Sequence, residues 1–497
     1  MIKRLLVANR GEIAVRIVHA CRELGIESVA VYSEADAHAA HVAAADRAVL
    51  VGPAPASASY LSIPAIVDAA HRTGADAVHP GYGFLSENGS FAKACEDAGI
   101  VFVGPPSSVI RQMGSKIDAR RLMQGAGVPV VPGETPDDQT DAGLVRAVER
   151  VGLPAMLKPS SGGGGKGMRR LRTAEEVLPA IQAARREATA AFANGTLYVE
   201  RLIERPHHVE IQIFADAHGH QIHVFERECS VQRRQQKIIE ETPSPNLTPG
   251  LRKRMTDAAV LAAKASGYRN AGTVEFLVDL SNGRSDSAPF YFLEMNTRLQ
   301  VEHGVTEQVA GIDLVRAQLL VASGEPLPWR QDDLLQRGHA IEARVYAEDP
   351  ANGFLPQAGR LLLYREPRMP GVRIDSGVRE GDEVTVHYDP MLAKVIASAE
   401  TRELAIARLD AALREFPILG IHTNIPFVRR ILAHETFRRA EIHTGFLDAE
   451  GAALAIETDA AVPEFVRAAV GFADDSGPAT AGAGSWDPWD ERGGWRP

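Results

Sequence analysis

Phe290-Tyr291-Phe292-Leu293-Glu294-Met295-Asn296-Thr297-Arg298-Leu299-Gln300-Val301-Glu302 alternates strictly from Glu294 onward. Glu294, Asn296, Arg298, Gln300 and Glu302 share one parity, and Met295, Thr297, Leu299 and Val301 the other. In an extended chain successive side chains point to opposite sides, so one continuous strand would put all five polar groups on one face. A strand with a solvated face would show the same pattern. The segment before it argues against that: Thr273-Val274-Glu275-Phe276-Leu277 lies across a turn containing Asn282-Gly283, a hairpin signal. Pairing about that turn sets Glu275 near Glu294. Like charges opposed across strands cost up to ~1 kcal/mol, which a divalent cation converts into attraction. Two carboxylates and Asn296 offer the oxygen ligands that suit Mg2+ or Mn2+ on nucleotide phosphates. Arg298 would then stand beside the transferred group, and Glu302 would serve as general base. The pattern reads as metal-assisted phosphoryl transfer.

Upstream, Lys158-Pro159-Ser160-Ser161-Gly162-Gly163-Gly164-Gly165-Lys166-Gly167 is a glycine run flanked by lysines. Consecutive glycines let backbone N–H groups converge on an anion. It is not a Walker A loop, because Gly167 stands where Ser or Thr would hold magnesium. Ala155–Leu157 before it and Met168–Leu171 after it both read as strands. The loop is therefore the tip of a hairpin, a mobile flap over phosphates.

The chain opens strand, turn, helix, strand: Leu5 to Ala8, then Ile13, Ile17, Ala20, Cys21 and Leu24 at helical spacing, a stop at Gly25, and Val29 to Tyr32. Asn9-Arg10-Gly11-Glu12 supplies one glycine where a dinucleotide motif needs three, so residues 1–113 read as an open α/β domain without NAD. Residues 114–330, with a flap section at about 131–203, mix strands and helices, and 331–446 form a third, mixed section. Residues 447–497 turn to Ala, Gly, Asp and Ser and read as a linker or tail.

The 497 residues carry a net charge of -10 with a pI near 5.9, which excludes a coat for nucleic acid or anionic membrane. No apolar run is long enough to span a bilayer. Three scattered cysteines give no disulfide framework or zinc site. The expectation is a soluble, cytoplasmic protein. His38 and His41 lack further ligands and read as structural. His207-His208 alone reads as a packed or exposed pair, and Gln232 to Lys237 as a solvated basic stretch.

Together the motifs resemble the biotin carboxylases of the ATP-grasp superfamily. The resemblance runs from residue 2 to about 446 and rests on Ala8–Ala14, His79–Asn88, the Gly162–Gly167 flap, Arg227–Ser230, Gln232–Arg234, Glu294–His303 and Tyr346–Pro350. It implies an open α/β N-terminal domain, an ATP-grasp domain of α+β type and a mixed C-terminal domain. The subunit would belong to acetyl-CoA carboxylase, or form the N-terminal part of a propionyl- or methylcrotonyl-CoA carboxylase α subunit.

By that resemblance Lys116, Lys158, Gly164 and Gly165 hold ATP phosphates, and Glu200, Arg201, Leu202 and Ile203 hold adenine and ribose, helped by His208 and Gln232. Glu275, Glu294 and Asn296 bind the metal. Lys237, Arg298, Gln300 and Val301 hold bicarbonate, Glu302 is its base, and Arg344 acts with Arg298 on carboxyphosphate and the biotin enolate. Tyr82, Gly83 and Glu87 lie close to that pocket. The partners implied are a biotin carboxyl carrier protein or domain, a carboxyltransferase subunit, and a second copy in a homodimer or larger complex.

Two positions depart from the pattern: Gln235 where many relatives have His, and Gly304 where proline is common. The Ala-Met-Lys-Met biotinylation motif is absent from the sequence, so biotin is expected to arrive on a separate domain or protein. The alternatives are another ATP-grasp ligase, such as a carbamoyl-phosphate-forming enzyme, and a regulatory nucleotide-binding subunit.

Overall fold

Leu5, Leu6 and Val7 build a strand, Arg4–Val7, because a short apolar run closed by a turn is satisfied only between two others. It pairs in parallel with Glu27–Ser33 on one side and Ala77–His79 on the other. Arg47–Gly52 and Val101–Phe102 complete a five-stranded parallel sheet. Helix Gly11–Leu24 packs Ile13, Ile17, Ala20 and Cys21 against it and ends at Gly25, whose φ of 67° is a left-handed cap. This computed structural model describes residues 1–160 and 167–456.

The second layer is an antiparallel sheet of eight strands. Its order is Phe290–Asn296, Asn270–Val278, His207–Ala215, Gln221–Arg233, Gln236–Thr242, His339–Tyr346, Met391–Ala399 and Val372–Ser376. Gln236–Thr242 pairs with His339–Tyr346, so strands from either side of residue 331 join in one hydrogen-bonded layer. Helix Pro249–Ser266 covers the first half with Leu251, Met255, Ala259 and Ala262, and Arg402–Arg414 covers the second with Ala405, Ile406 and Leu409. A separate four-stranded sheet carries Ala155–Pro159 against Arg169–Leu171. Those two strands flank the glycine run; Gly164 and Gly165 lie outside the described residues, as does the chain beyond 456.

Phe290–Asn296 differs from the expected single strand through Glu302. The ladder pairs Glu275 with Glu294 but Phe276 with Phe292, leaving Leu293 without a partner. This bulge inverts the facing between positions 292 and 294. Phe292 thus joins Phe276 and Phe290 in the core, while Glu294 shares the face of Glu275. The strand stops at Asn296, the chain bends, and Glu302 is the N-cap of helix His303–Ala310. Alternation in sequence runs on through a segment that is not a strand.

Candidate active site

The face bearing Glu275 and Glu294 forms the floor of a cavity of about 480 Å3. Neighbouring strands bring charge to the same face. His208 Nε2 lies 2.9 Å from Glu275 Oε2, and Lys237 Nζ lies 3.0 Å from Glu275 Oε1. Lys237 also meets Glu210 at 2.6 Å and Glu302 at 2.6 Å, so one ammonium holds three carboxylates. Arg344 Nη2 reaches the other Glu302 oxygen at 2.9 Å and pairs with Glu240 at 2.5 Å. Beneath them the fully buried Arg227 donates to Glu210, Gln212, Thr273 and Thr306. Every member of this network is buried, and removing one charge would strand its partner.

The protonation states follow from these contacts. Burial pushes the Glu302 carboxyl up, but Lys237, Arg344 and Arg227 outweigh it and hold it well below the ordinary carboxylate range. Burial acts likewise on Glu275, and Lys237 and His208 overcome it. Lys237, which burial would depress, is raised well above its usual value by the surrounding acids. Glu240 goes the other way: burial pushes it up to about 7 despite Arg344.

Three cavity lysines and arginines start engaged with acids. Lys116 Nζ lies 3.4 Å from Glu294, and Lys158 Nζ lies 2.6 Å from Glu200. Arg298 donates to Glu87 at 3.0 Å and to Gln300 Oε1 at 2.9 Å. Glu200 is also bound by Arg120, which sequence reasoning missed. Apolar lining comes from Met156, Leu202 and Ile203, and on the strands of the floor from Leu277 and Leu293.

Gln232 to Lys237 are solvated only at Arg234 and Gln235; Gln232 is half-buried and Lys237 buried. They form a hairpin whose tip, Arg234-Gln235, has φ of 49° and 68°. Both tip positions are left-handed in residues that disfavour it, strain characteristic of functional sites. Likewise His207-His208 is an interior pair: His207 lies near Asn246 and Glu228, and His208 contacts Gln232 and Glu275.

Tyr82, Gly83 and Glu87 do not line the cavity itself. Glu87 reaches it through Arg298 and the Thr297 N–H, while Tyr82 turns its ring toward Lys394. Gln235 contacts Met168 at the end of the flap hairpin. At Gly304 a Cβ would stand 2.4 Å from Ile396 Cδ1, so Ile396 fills the space a larger residue would need. His41 is buried against the Val31 carbonyl, a packing role.

Glu275 and Glu294 are register partners, and Asn296 Nδ2 donates to Glu275 Oε1 at 2.8 Å; carboxylate and amide oxygens are the donor types that suit Mg2+ or Mn2+.

Three family models cover nearly all of the chain: Biotin carboxylase, N-terminal domain over residues 1–110, Carbamoyl-phosphate synthase L chain, ATP binding domain over 115–330, and Biotin carboxylase C-terminal domain over 342–449. The biotin carboxylase of Halalkalibacterium halodurans is 50% identical over 447 residues, 90% of this chain and 97% of that protein. This chain belongs to the biotin carboxylase family. The mitochondrial methylcrotonoyl-CoA carboxylase subunit α of Glycine max is 51% identical over 90% of this chain, which spans 60% of that longer protein. Among solved structures, the Campylobacter jejuni biotin carboxylase–β-γ-ATP complex superposes with a TM-score of 0.86 at 43% identity, covering 90% of this chain and 99% of that one. The biotin carboxylase domain dimer of Hydrogenobacter thermophilus 2-oxoglutarate carboxylase, with MgADP, ADP and bicarbonate, gives 0.87 at 42% identity, covering 92% and 100%.

Proposed function

We propose that this biotin carboxylase family member uses ATP and bicarbonate to carboxylate biotin presented by a carrier protein or domain. The observation that carries the reading is the meeting of Lys237, Arg344 and Glu302 beside the opposed Glu275–Glu294 pair. Glu275, Glu294 and Asn296 would hold Mg2+ or Mn2+, which neutralises phosphate charge when bound. Lys116 and Lys158 would release their acids to bind the phosphates, with Gly164 and Gly165 supplying N–H donors. Adenine would rest on the wall of Leu202 and Ile203, with Glu200, Arg201, Gln232 and His208 around the nucleotide.

Bicarbonate would sit between Lys237, Arg298, Gln300 and Val301. Glu302 is ionised but weakly basic while two cations hold it. An anion competing for Lys237 and Arg344 raises the proton affinity of Glu302 as it presents its own proton. The deprotonated oxygen attacks the γ-phosphorus, the bond to ADP breaks, and carboxyphosphate results. Its C–O bond cleaves to CO2 and phosphate. The phosphate takes the biotin N1 proton, and N1 bonds to CO2 while Arg344 and Arg298 balance the enolate charge. Tyr82, Gly83 and Glu87 would border the biotin side.

We extend the proposal to a carboxyltransferase partner, a homodimer or larger complex, and a cytoplasmic site of action. Among the described residues no helix is long and apolar enough to cross a membrane, and all three cysteines are free thiols. The description of the middle family model favours one second reading, carbamoyl phosphate formation. Transfer of labelled bicarbonate decides between them. Wild-type protein with ATP and biotin should yield acid-labile labelled carboxybiotin; label entering only an ammonia-dependent product contradicts the proposal.

A further inference from the structure

Lys394 lies in strand Met391–Ala399, outside every motif that marks the site, and is fully buried. It pairs across the sheet with Arg344 on one side and Asp375 on the other, so the three share a face. Its ammonium ion-pairs with Glu12 at 3.5 Å and Asp375 at 3.4 Å. The shortest contact is to neither acid: Nζ donates to the Val301 carbonyl at 2.7 Å. Of the three donors of this buried ammonium, the one to the backbone carbonyl makes the shortest bond, so the ion pair is tied to the main chain beside Glu302. Val301 sits between Gln300 and Glu302, in the bend joining the metal-site strand to helix His303–Ala310. His303 Nδ1 lies 2.9 Å from the Gln300 carbonyl and steadies the same bend.

We infer that Lys394 is a positioning residue for bicarbonate, acting by orienting and polarising the Val301–Glu302 peptide. This rests on the function proposed above. In a trans peptide the Glu302 N–H points opposite to the Val301 carbonyl, so drawing the carbonyl toward Lys394 turns the N–H away from it. An ammonium on the carbonyl also polarises the amide and strengthens that N–H as a donor to an anion. The same peptide plane fixes the direction in which the Glu302 side chain departs. Lys394 thus sets both an anion donor and the base without touching a reactant.

The test separates KM values. Lys394→Met should raise the bicarbonate KM about tenfold or more, the worth of a charged hydrogen bond in a dry setting. The MgATP KM should stay within about twofold, because the metal and phosphate residues receive no contact from Lys394. An unchanged bicarbonate KM, or both KM values rising together, overturns the inference. Removing the ammonium strands Glu12 and Asp375, so Lys394→Met/Glu12→Gln is measured beside it, with thermal unfolding as the check on folding. Lys394→Arg keeps the charge but brings a planar fork to a seat shaped for one ammonium, and should raise the bicarbonate KM about threefold. If the neutral variants do not fold, a wild-type bicarbonate KM in Lys394→Arg overturns it. Wild-type protein without biotin-stimulated, bicarbonate-dependent ATP hydrolysis instead sinks the functional reading, whatever the variants do.

Discussion

Between Arg4–Val7 and Ala77–His79 the five-stranded sheet reverses its strand order, the place where open α/β sheets usually hold ligands. There Asn9 Nδ2 donates to the Pro80 and Tyr82 carbonyls, each at 2.7 Å. Gly377 closes the helix start, where a Cβ would lie 2.5 Å from the Glu12 nitrogen. The antiparallel sheet does the reverse: it leaves a cavity open and lines it with charges held by one another. The first crevice is closed over by Asn9 and Gly377, whereas the second keeps charges that a substrate can recruit. Fold-level analogy points to the first; chemistry points to the second.

Substitutions that strip one region and spare the other test this contrast. The largest effect should come from Glu302→Gln, which should cut turnover by about a thousandfold or more while MgATP binding, followed by calorimetry, stays near wild type. Lost nucleotide binding would refute the role given to Glu302. Next, Lys237→Met leaves Glu210, Glu275 and Glu302 facing each other and should cost about 3–5 kcal/mol in urea unfolding. In the filled crevice, Gly377→Ala should destabilise by about 1–3 kcal/mol, with kcat per folded molecule unchanged. A kcat loss there would mean the crevice takes part in the chemistry.

The smallest effect is on acid stability. Burial pushes Glu241 up, but its bond to His339 and its pairing with Arg402 hold the carboxyl below the ordinary value. A carboxyl lowered in the folded state adds stability above pH ~4.5, lost as pH falls through its folded pKa. Glu241→Gln should therefore flatten the acid limb of the unfolding curve; an unchanged slope would remove Glu241 from that account.

Much of this was legible in the sequence where local signals agree with the fold. The apolar run at Leu5, the helical spacing from Ile13 and the left-handed Gly25 each act within a few residues. That Glu275 comes near Glu294 was readable from the hairpin signal, but the register itself is set by the longer connection, residues 279–289, and by the bulge at Leu293. The end of that strand was not, because the bulge at Leu293 and the bend after Asn296 leave the alternation intact. Read alone, His208 could only be placed as packed or exposed, and the burial of Lys237 was not visible, since their partners are on strands distant in sequence. Glu210, Arg120 and Lys394 carry no local signal; only contacts with residues distant in sequence assign them.

ATP hydrolysis by the full chain, measured with and without bicarbonate and with and without free biotin, is the decisive assay for biotin carboxylation. The account predicts hydrolysis that requires bicarbonate and rises when biotin is added. A folded protein that binds MgATP yet shows no stimulation by biotin would contradict it.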